Sequence, residues 1–485
     1  MLGQSSSPAV RISMGHTLGR PLPVRPAGFG GAGRAALGGE VVAGPADPGG
    51  CTPATADNGR GRAALPAAAT GRFLWRVHVT ETDETRPESG AEPAPARPAG
   101  TRRSRVRLLM RYAPLVAPVL LWAVPCVVLL HTGQGWPLAV TLLGTALFVA
   151  GLVGMPIAMV RGHGRRQQDR AAIVGATLLG GIWVLFTWSV LLTLLLRPLL
   201  AVAGVGDGQD RARIVTWAAL AAAGGLLVWG FVEARRVPRV RRVEVPLARL
   251  GAGLDGTRVV LITDTHYGPL DRARWSERVC EKVNSLEADL VCHTGDIADG
   301  TAERRRAQAL PLGTVRATRA RVYVTGNHEY YSEAQGWVDL MAELGWEPLR
   351  NRHLLLERGG DTLVVAGVDD VTAESSGLDG HRAHLAGALS GTDPEHPVLL
   401  LAHQPTFVDR AAAGGVDLQL SGHTHGGQIW PFHYLVRLDQ PAVAGLSRHG
   451  ARTQLYTSRG TGFWGPPFRV FAPSEITLLV LRATG

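Results

Sequence analysis

Five short apolar runs in the second half of the chain share one grammar: each ends in side chains that bind metal ions. Residues 259–263 lead into Asp264-Thr265-His266, and 290–294 lead into Gly295-Asp296-Ile297-Ala298-Asp299. Residues 322–325 lead into Gly326-Asn327-His328-Glu329, and 398–402 lead into His403. A last run ends in Ser421-Gly422-His423-Thr424-His425-Gly426-Gly427-Gln428. Buried strands read as short continuous apolar runs bounded by turn residues. Open sheets gather ligands beyond the carboxyl ends of their strands. The alternation in His423-Thr424-His425 puts both imidazoles on one side of an extended segment. The flanking glycines let the chain turn without side chains that would block the site. Five such strand ends are the sequence image of one site.

The donor set has a chemistry of its own. Asp, Asn and His together suit a divalent metal of intermediate hardness with more than four ligands, Mn²⁺ or Fe²⁺, with Zn²⁺ as a further option. Two such ions about 3.5–4 Å apart clamp a phosphoryl group and generate hydroxide at neutral pH, and they need one carboxylate that bridges them.

The ordered set D-x-H, G-D-x-x-D, G-N-H-E, a lone His and G-H-x-H resembles the calcineurin-like metallophosphoesterases, over roughly residues 246–485. The longer form Gly-His-Thr-His-Gly-Gly-Gln is similar to the membrane-associated branch that includes hydrolases of UDP-diacylglucosamine. The resemblance implies an α/β fold, the four-layer αββα sandwich of two mixed sheets faced by helices. It implies two divalent ions, the first on Asp264, His266, Asp296 and His425. Asp296 would bridge to the second, completed by Asn327, His403 and His423. His328 would give a hydrogen bond or proton to the leaving group, and Asp299 and Glu329 would orient imidazoles from behind. Arg459, in Ser458-Arg459-Gly460, is a candidate for binding a non-reacting phosphate, because guanidinium matches phosphate bidentately.

The first half reads differently. Residues 1–100 are rich in Gly, Ala, Pro, Ser and Arg without sustained periodicity, and are expected to be disordered. No early apolar stretch suggests a cleaved signal peptide. A membrane region is expected over 101–245. Apolar segments at about 113–131, 136–160, 171–196 and 214–233 each approach the ~20 residues needed to cross hydrocarbon. Arginines before the first segment, in the loop 161–170 and over 235–242 fall on one face of a four-pass topology, which the positive-inside rule puts in the cytoplasm together with the enzyme half. Thr101-Arg102-Arg103 faintly resembles a twin-arginine export signal, which would place that half outside. Residues 235–250 read as a basic strap at the membrane surface.

Charge excludes one class of partner. Residues 245–485 hold 23 Lys+Arg against 27 Asp+Glu, and the first 244 hold 27 against 13. The basic excess belongs to the membrane flanks, so nucleic acid is not the expected partner of the enzyme half. Cys51, Cys126, Cys280 and Cys292 have no C-x-x-C spacing and predict no disulfide framework. Helices are expected at 272–286, 334–344 and 381–389, a hairpin at 354–368, and last strands at 454–458 and 476–481. Trp430 and the aromatic loop Gly462-Phe463-Trp464-Gly465-Pro466-Pro467-Phe468 raise the question of a rim for a lipid chain.

The expectation is a membrane-anchored two-metal phosphoesterase acting on a phosphodiester or pyrophosphate, with membrane lipids as partners and a lipid-linked phosphate as the natural substrate. A metal-dependent sensing module with little turnover is the alternative. A transporter role is disfavoured because no Asp, Glu or Lys lies in mid-segment.

Overall fold

In the computed structural model the described residues are 76–79, 102–164 and 167–484, the side chains of 76–79 and 102–115 excepted. The segments 1–75 and 80–101, most of the low-complexity region, lie outside them. Four helices come first after that region: α1 (Arg102–Leu130), α2 (Leu138–His163), α3 (Asp169–Val202) and α4 (Gly208–Arg235). Three of them, α2, α3 and α4, are long and apolar enough to cross a membrane, so the chain is membrane-associated. The first expected segment, at about 113–131, falls in α1, where the described side chains give the apolar stretch Val116–Leu130. Pro156 in α2 and Pro198 in α3 are carried inside the helices, as neighbouring helices allow in lipid. Small residues set the packing: Gly162 of α2 lies against the backbone of Ala172 in α3. The Asp207 carboxylate caps α4 by accepting from the amides of Gln209 and Asp210, both at 2.8 Å.

Thirteen described strands form two mixed sheets. The six-stranded sheet contains β2 (Arg239–Leu247), β3 (Arg258–Ile262), β4 (Leu290–His293), β5 (Ala320–Tyr323), β6 (Glu347–Pro348) and β13 (Glu475–Ala483), in the order β2-β13-β3-β4-β5-β6. The seven-stranded sheet contains β1 (Arg76–Val79), β7 (Arg352–Arg358), β8 (Asp361–Gly367), β9 (Val398–Leu401), β10 (Leu418–Ser421), β11 (Gly445–His449) and β12 (Thr453–Thr457), in the order β1-β7-β8-β9-β10-β12-β11. The runs β3-β4-β5 and β8-β9-β10-β12 are parallel, so their carboxyl ends point one way within each sheet.

Both faces of the central strands are apolar. Val259 and Leu261 of β3 pack with Leu399 and Leu401 of β9 and Leu418 and Leu420 of β10 in a core between the sheets. Val260 and Ile262 face the other way, onto a core with Trp275 and Val279 of α5 (Ala273–Asn284) and Trp337 and Met341 of α8 (Ala334–Glu343). Val364 and Leu400 form the outer core of the second sheet with Phe407 and Ala411. Between α5 and α8 lie α6 (Ala302–Ala309) and α7 (Asn327–Ser332).

Three expectations change. Residues 235–250 are not a surface strap: Arg239–Leu247 is a strand paired in parallel with β13 over its whole length, and Val245 and Leu247 are buried. Arg76–Val79, inside the expected disordered region, forms a strand antiparallel to β7. The expected helix at 381–389 is reduced to Leu385–Ala388. Cys126, Cys280 and Cys292 are buried free thiols, and Cys51 lies outside the described residues.

The membrane helices dock laterally on the enzyme region. Val184 of α3 and Ala223 of α4 share a core with Ile429, Phe468 and Val470. The Gly230 carbonyl of α4 accepts from the Arg469 amide at 2.9 Å. Asp169, at the start of α3, receives Arg305 of α6 through two hydrogen bonds of 2.6 and 3.1 Å.

Candidate metal centre

The site forms where β3, β4, β5, β9 and β10 end. Five of its side chains sit on left-handed backbone: Asp264 (φ 51°), His266 (φ 43°), Asp296 (φ 55°), His423 (φ 70°) and His425 (φ 51°). Such φ values are sparsely populated outside glycine and cluster where function over-determines the backbone. Turns that sharp at each strand end swing consecutive side chains into one volume. Glycine makes room where loops meet: a Cβ on Gly422 would lie 2.2 Å from Asp264 Oδ2, and one on Gly295 2.3 Å from the Gly326 amide.

Two groups of donor atoms result. His266 Nε2 lies 3.0 Å from His425 Nε2 and 3.4 Å from Asp296 Oδ2, and His425 Nε2 lies 3.5 Å from Asp264 Oδ1. In the second group His403 Nε2 is 3.2 Å from the same Asp296 Oδ2 and 3.0 Å from Asn327 Oδ1. Asn327 Oδ1 is in turn 2.9 Å from His423 Nδ1. All seven predicted ligands are thus brought together, and one carboxylate oxygen of Asp296 stands between the groups.

The donors fit divalent ions by three local tests. Donors about 2.1 Å from one ion and at right angles around it stand about 3 Å apart, the spacing seen here. Asp264 Oδ2 is a buried carboxylate oxygen without a hydrogen-bond partner, a costly arrangement unless a cation satisfies it. The ring tautomers are set from behind. His266 Nδ1 pairs with Asp299 Oδ1 at 2.9 Å, and His403 Nδ1 faces the Thr294 carbonyl at 2.7 Å. With Nδ1 donating, each neutral ring turns a bare Nε2 lone pair inward.

His328 lies at the rim of this cluster. Its Nδ1 is 2.8 Å from Asp299 Oδ1, and its backbone amide donates to Asp296 Oδ1 at 2.9 Å. Burial pushes the His328 imidazole down, but the Asp296 and Asp299 carboxylates outweigh it and raise it to about 9. For His403, burial is likewise outweighed by Asp296, with smaller help from Asp264 and Asp370, and the ring rises to about 10. His423 goes the other way, to about 3, through burial and the neighbouring His403 cation. Asp299 is also buried, yet His266 and His328 hold its carboxyl below the usual range.

Glu329 does something the sequence did not suggest. Its buried carboxylate accepts from the backbone amides of Asp296 (2.9 Å), Ile297 (2.7 Å) and Gly326 (2.6 Å), rather than orienting an imidazole. It ties the β4 and β5 loops together. Burial, with Asp296 repulsion behind it, raises Glu329 to about 7. Arg459 is half-buried, its aliphatic stem against Gly426.

A residue the sequence reading passed over is Arg469. It is fully buried, and its guanidinium donates to the carbonyls of Gly462, His425, Ala472 and Arg459 while one nitrogen stands 3.3 Å from His425 Nδ1. Gln428 clamps the aromatic loop: its Nε2 donates to the carbonyls of Trp464 and Pro466, and its Oε1 accepts from the Trp464 amide. The signal for both was local, an Arg and a Gln among glycines and aromatics, but their partners are main-chain atoms that a sequence does not display. The centre opens into a cavity of about 580 Å³ whose walls include Gly180 and Trp183 of α3.

Residues 257–427 match the calcineurin-like phosphoesterase family. A zebrafish (Danio rerio) protein described as a transmembrane protein with metallophosphoesterase domain is 37% identical over 295 residues, 60% of this chain and 67% of that one. A bovine (Bos taurus) protein of the same description is 39% identical over 267 residues, 53% of this chain and 60% of that one. An uncharacterized metallophosphoesterase of Aquifex aeolicus is 30% identical over 251 residues, 51% of this chain and 93% of the relative. The chain belongs to the calcineurin-like metallophosphoesterases, the metal-dependent phosphoesterases.

Proposed function

We propose that the chain is a membrane-anchored phosphoesterase with a dinuclear centre that hydrolyses a phosphodiester or pyrophosphate bond, in a lipid-linked substrate. The observation that carries this reading is the Asp296 carboxylate oxygen within 3.4 Å of His266 Nε2 and 3.2 Å of His403 Nε2. One ion would be held by Asp264, His266, Asp296 and His425, and the other by Asp296, Asn327, His403 and His423. Mn²⁺ or Fe²⁺ suits this mixed donor set best, and Zn²⁺ is the third option. Bound there, the two ions supply Lewis acidity at the phosphoryl group and an activated water.

The chain's own residues do the rest. His328 is held by Asp299, whose carboxylate favours the protonated ring, so it is placed to give a proton to the departing oxygen as the water oxygen bonds to phosphorus. Asp299 fixes the His266 and His328 rings in one arrangement. Arg459 is kept as a contact for a non-reacting phosphate. The arginine distribution supports four passes with the enzyme half in the cytoplasm, and the relatives described as transmembrane proteins support membrane association alone.

The test uses the full chain in detergent or lipid discs, supplied with Mn²⁺. A nitrophenyl phosphodiester and the matching monoester are compared, with a chelator and Asp296→Asn as controls. Diester cleavage that is lost with chelator and in the variant supports the reading. A folded, metal-loaded protein that cleaves neither ester overturns it.

A further inference from the structure

The membrane helices are engaged by the enzyme region too far along their length. Helix α3 spans Asp169–Val202, and it touches the enzyme region from Asp169 to Trp188, whose ring packs against Trp430 at 6.1 Å. Beyond Trp188 only residues 189–202 remain, about 21 Å of helix at 1.5 Å per residue. Helix α4 repeats the pattern from the other end. Its contacts run from Ala223, packed with Ile429 and Val470, to Gly230 and to Phe231, whose ring is 6.3 Å from Phe468. Residues 208–222 remain, about 22 Å. The hydrocarbon core is about 30 Å thick. The helices fall short by about 9 and 8 Å, and Arg197 and Arg213, hydrogen-bonded to the far-side loop, shorten the apolar part further.

The enzyme surface beside these helices is built for that missing depth. Leu438 is 83% exposed, and Tyr434, Leu435, Trp464 and Phe471 are also exposed. They continue the ring contacts Trp183–Phe432 and Trp229–Phe471 made with α3 and α4. Interfacial segments of this kind sit about 5–10 Å into the boundary of headgroups and acyl chains. The cavity opens within the same patch. Its walls join Asp296, His328 and His423 to Gly180, Trp183, Phe432, Leu435 and Val436, and the Trp464 ring, also in the wall, lies 5.7 Å from that of His328.

We propose that this surface is sunk into the leaflet, that the cavity opens to hydrocarbon, and that the substrate is a phosphodiester or pyrophosphate whose hydrocarbon chain enters sideways along α3. The occupant of the apolar end is that chain, because the only apolar medium continuous with α3 and α4 is the bilayer. The substrate part rests on the phosphoesterase reading above; the depth part does not.

Two measurements on the full chain in phosphatidylcholine vesicles test it. The first uses a phospholipid with a photoreactive group at mid-chain, followed by peptide mapping. Segments 429–438 and 464–471 are expected to be labelled as strongly as the exposed Leu142 and Leu147 of the apolar helix α2. Labelling no stronger than at the exposed hairpin turn Gly359-Gly360 overturns the depth assignment. The second compares methyl and hexadecyl esters of one nitrophenyl phosphodiester with Mn²⁺. The hexadecyl ester is expected to be preferred about tenfold or more in kcat/KM, since each buried methylene contributes. Leu435→Glu and Val436→Glu are expected to bring that ratio down about tenfold. A ratio near one in the wild type, or one unchanged in both variants, overturns chain binding even though ester cleavage stands. Cleavage of neither ester overturns the phosphoesterase reading instead, and the labelling still decides the depth.

Discussion

Asp299 is the residue on which two imidazoles depend, since its Oδ1 lies 2.9 Å from His266 Nδ1 and 2.8 Å from His328 Nδ1. Outer partners of this kind are worth about 10–100-fold in metal affinity or activity. Asp299→Asn is therefore expected to lower both metal content and turnover by that order. His328→Ala is expected to lower kcat about 10²–10⁴-fold with metal content retained. Metal analysis beside kinetics separates the two, and equal metal loss in both variants would contradict the distinction. The pH dependence of metal uptake follows from His403, raised to about 10 mainly by Asp296 against burial. Below that pH the metal-free ring carries a proton, and a metal ligand must be neutral. Uptake at neutral pH thus expels a proton, and affinity is expected to rise about tenfold per pH unit toward pH 10. Calorimetry in buffers of different ionisation enthalpy reads that proton; affinity flat between pH 6 and 9 counts against His403 as a ligand. The seven candidate ligands were legible in the sequence because each follows a short apolar strand, a purely local pattern. Glu329 and Arg469 were not legible in their roles, because both act on backbone atoms brought near only by the fold.

At the scale of elements, the loops behind the centre are held by buried polar side chains rather than by apolar packing. Arg469 satisfies the carbonyls of four residues on the 425, 459–462 and 472 stretches, and burial lowers its guanidinium to about 10 even with Asp264 and Glu475 nearby. Arg469→Met would leave the carbonyls of Gly462, Arg459 and Ala472 without this donor, at about 1–3 kcal/mol each, while the His425 carbonyl keeps the Gln428 amide. The expected result is a loss of about 3 kcal/mol or more in denaturant unfolding, together with weaker metal uptake if His425 is the proposed ligand. Arg469→Lys is expected to recover only part of this, since an ammonium has three donors and no planar fork. Full recovery by lysine would show that charge alone matters there. The strands β3, β4, β9 and β10 were readable as apolar runs because both of their faces are covered. Strand β2 was not, because as an edge strand it carries Arg239, Arg241, Arg242 and Glu244 outward and Pro246 in its ladder. Those residues look like the charged flank of a membrane helix until the pairing with β13 is seen.

For the molecule as a whole, the boundary between membrane and enzyme parts does not lie where composition changes. A cut at residue 246 follows the charge pattern, but it removes most of β2, and with it the buried Val245 that packs between the sheets. Losing a buried branched side chain costs about 1.5–3 kcal/mol, and the freed edge of β13 becomes a template for pairing with other chains. A cut at 237 keeps β2 but strips away α3 and α4, which cover Ile429, Phe468 and Val470. Covering an apolar patch of that kind is what keeps a domain monomeric in water. The expected order of stability is therefore full chain in lipid, then 237–485, then 246–485, and 237–485 is expected to need detergent to stay monodisperse. Thermal unfolding with light scattering on the three proteins checks this. If 246–485 proves monomeric in plain buffer, as stable as the full chain, then α3, α4 and β2 are accessories, and the shared core at Val184, Ala223 and Phe468 contributes nothing that the enzyme region requires.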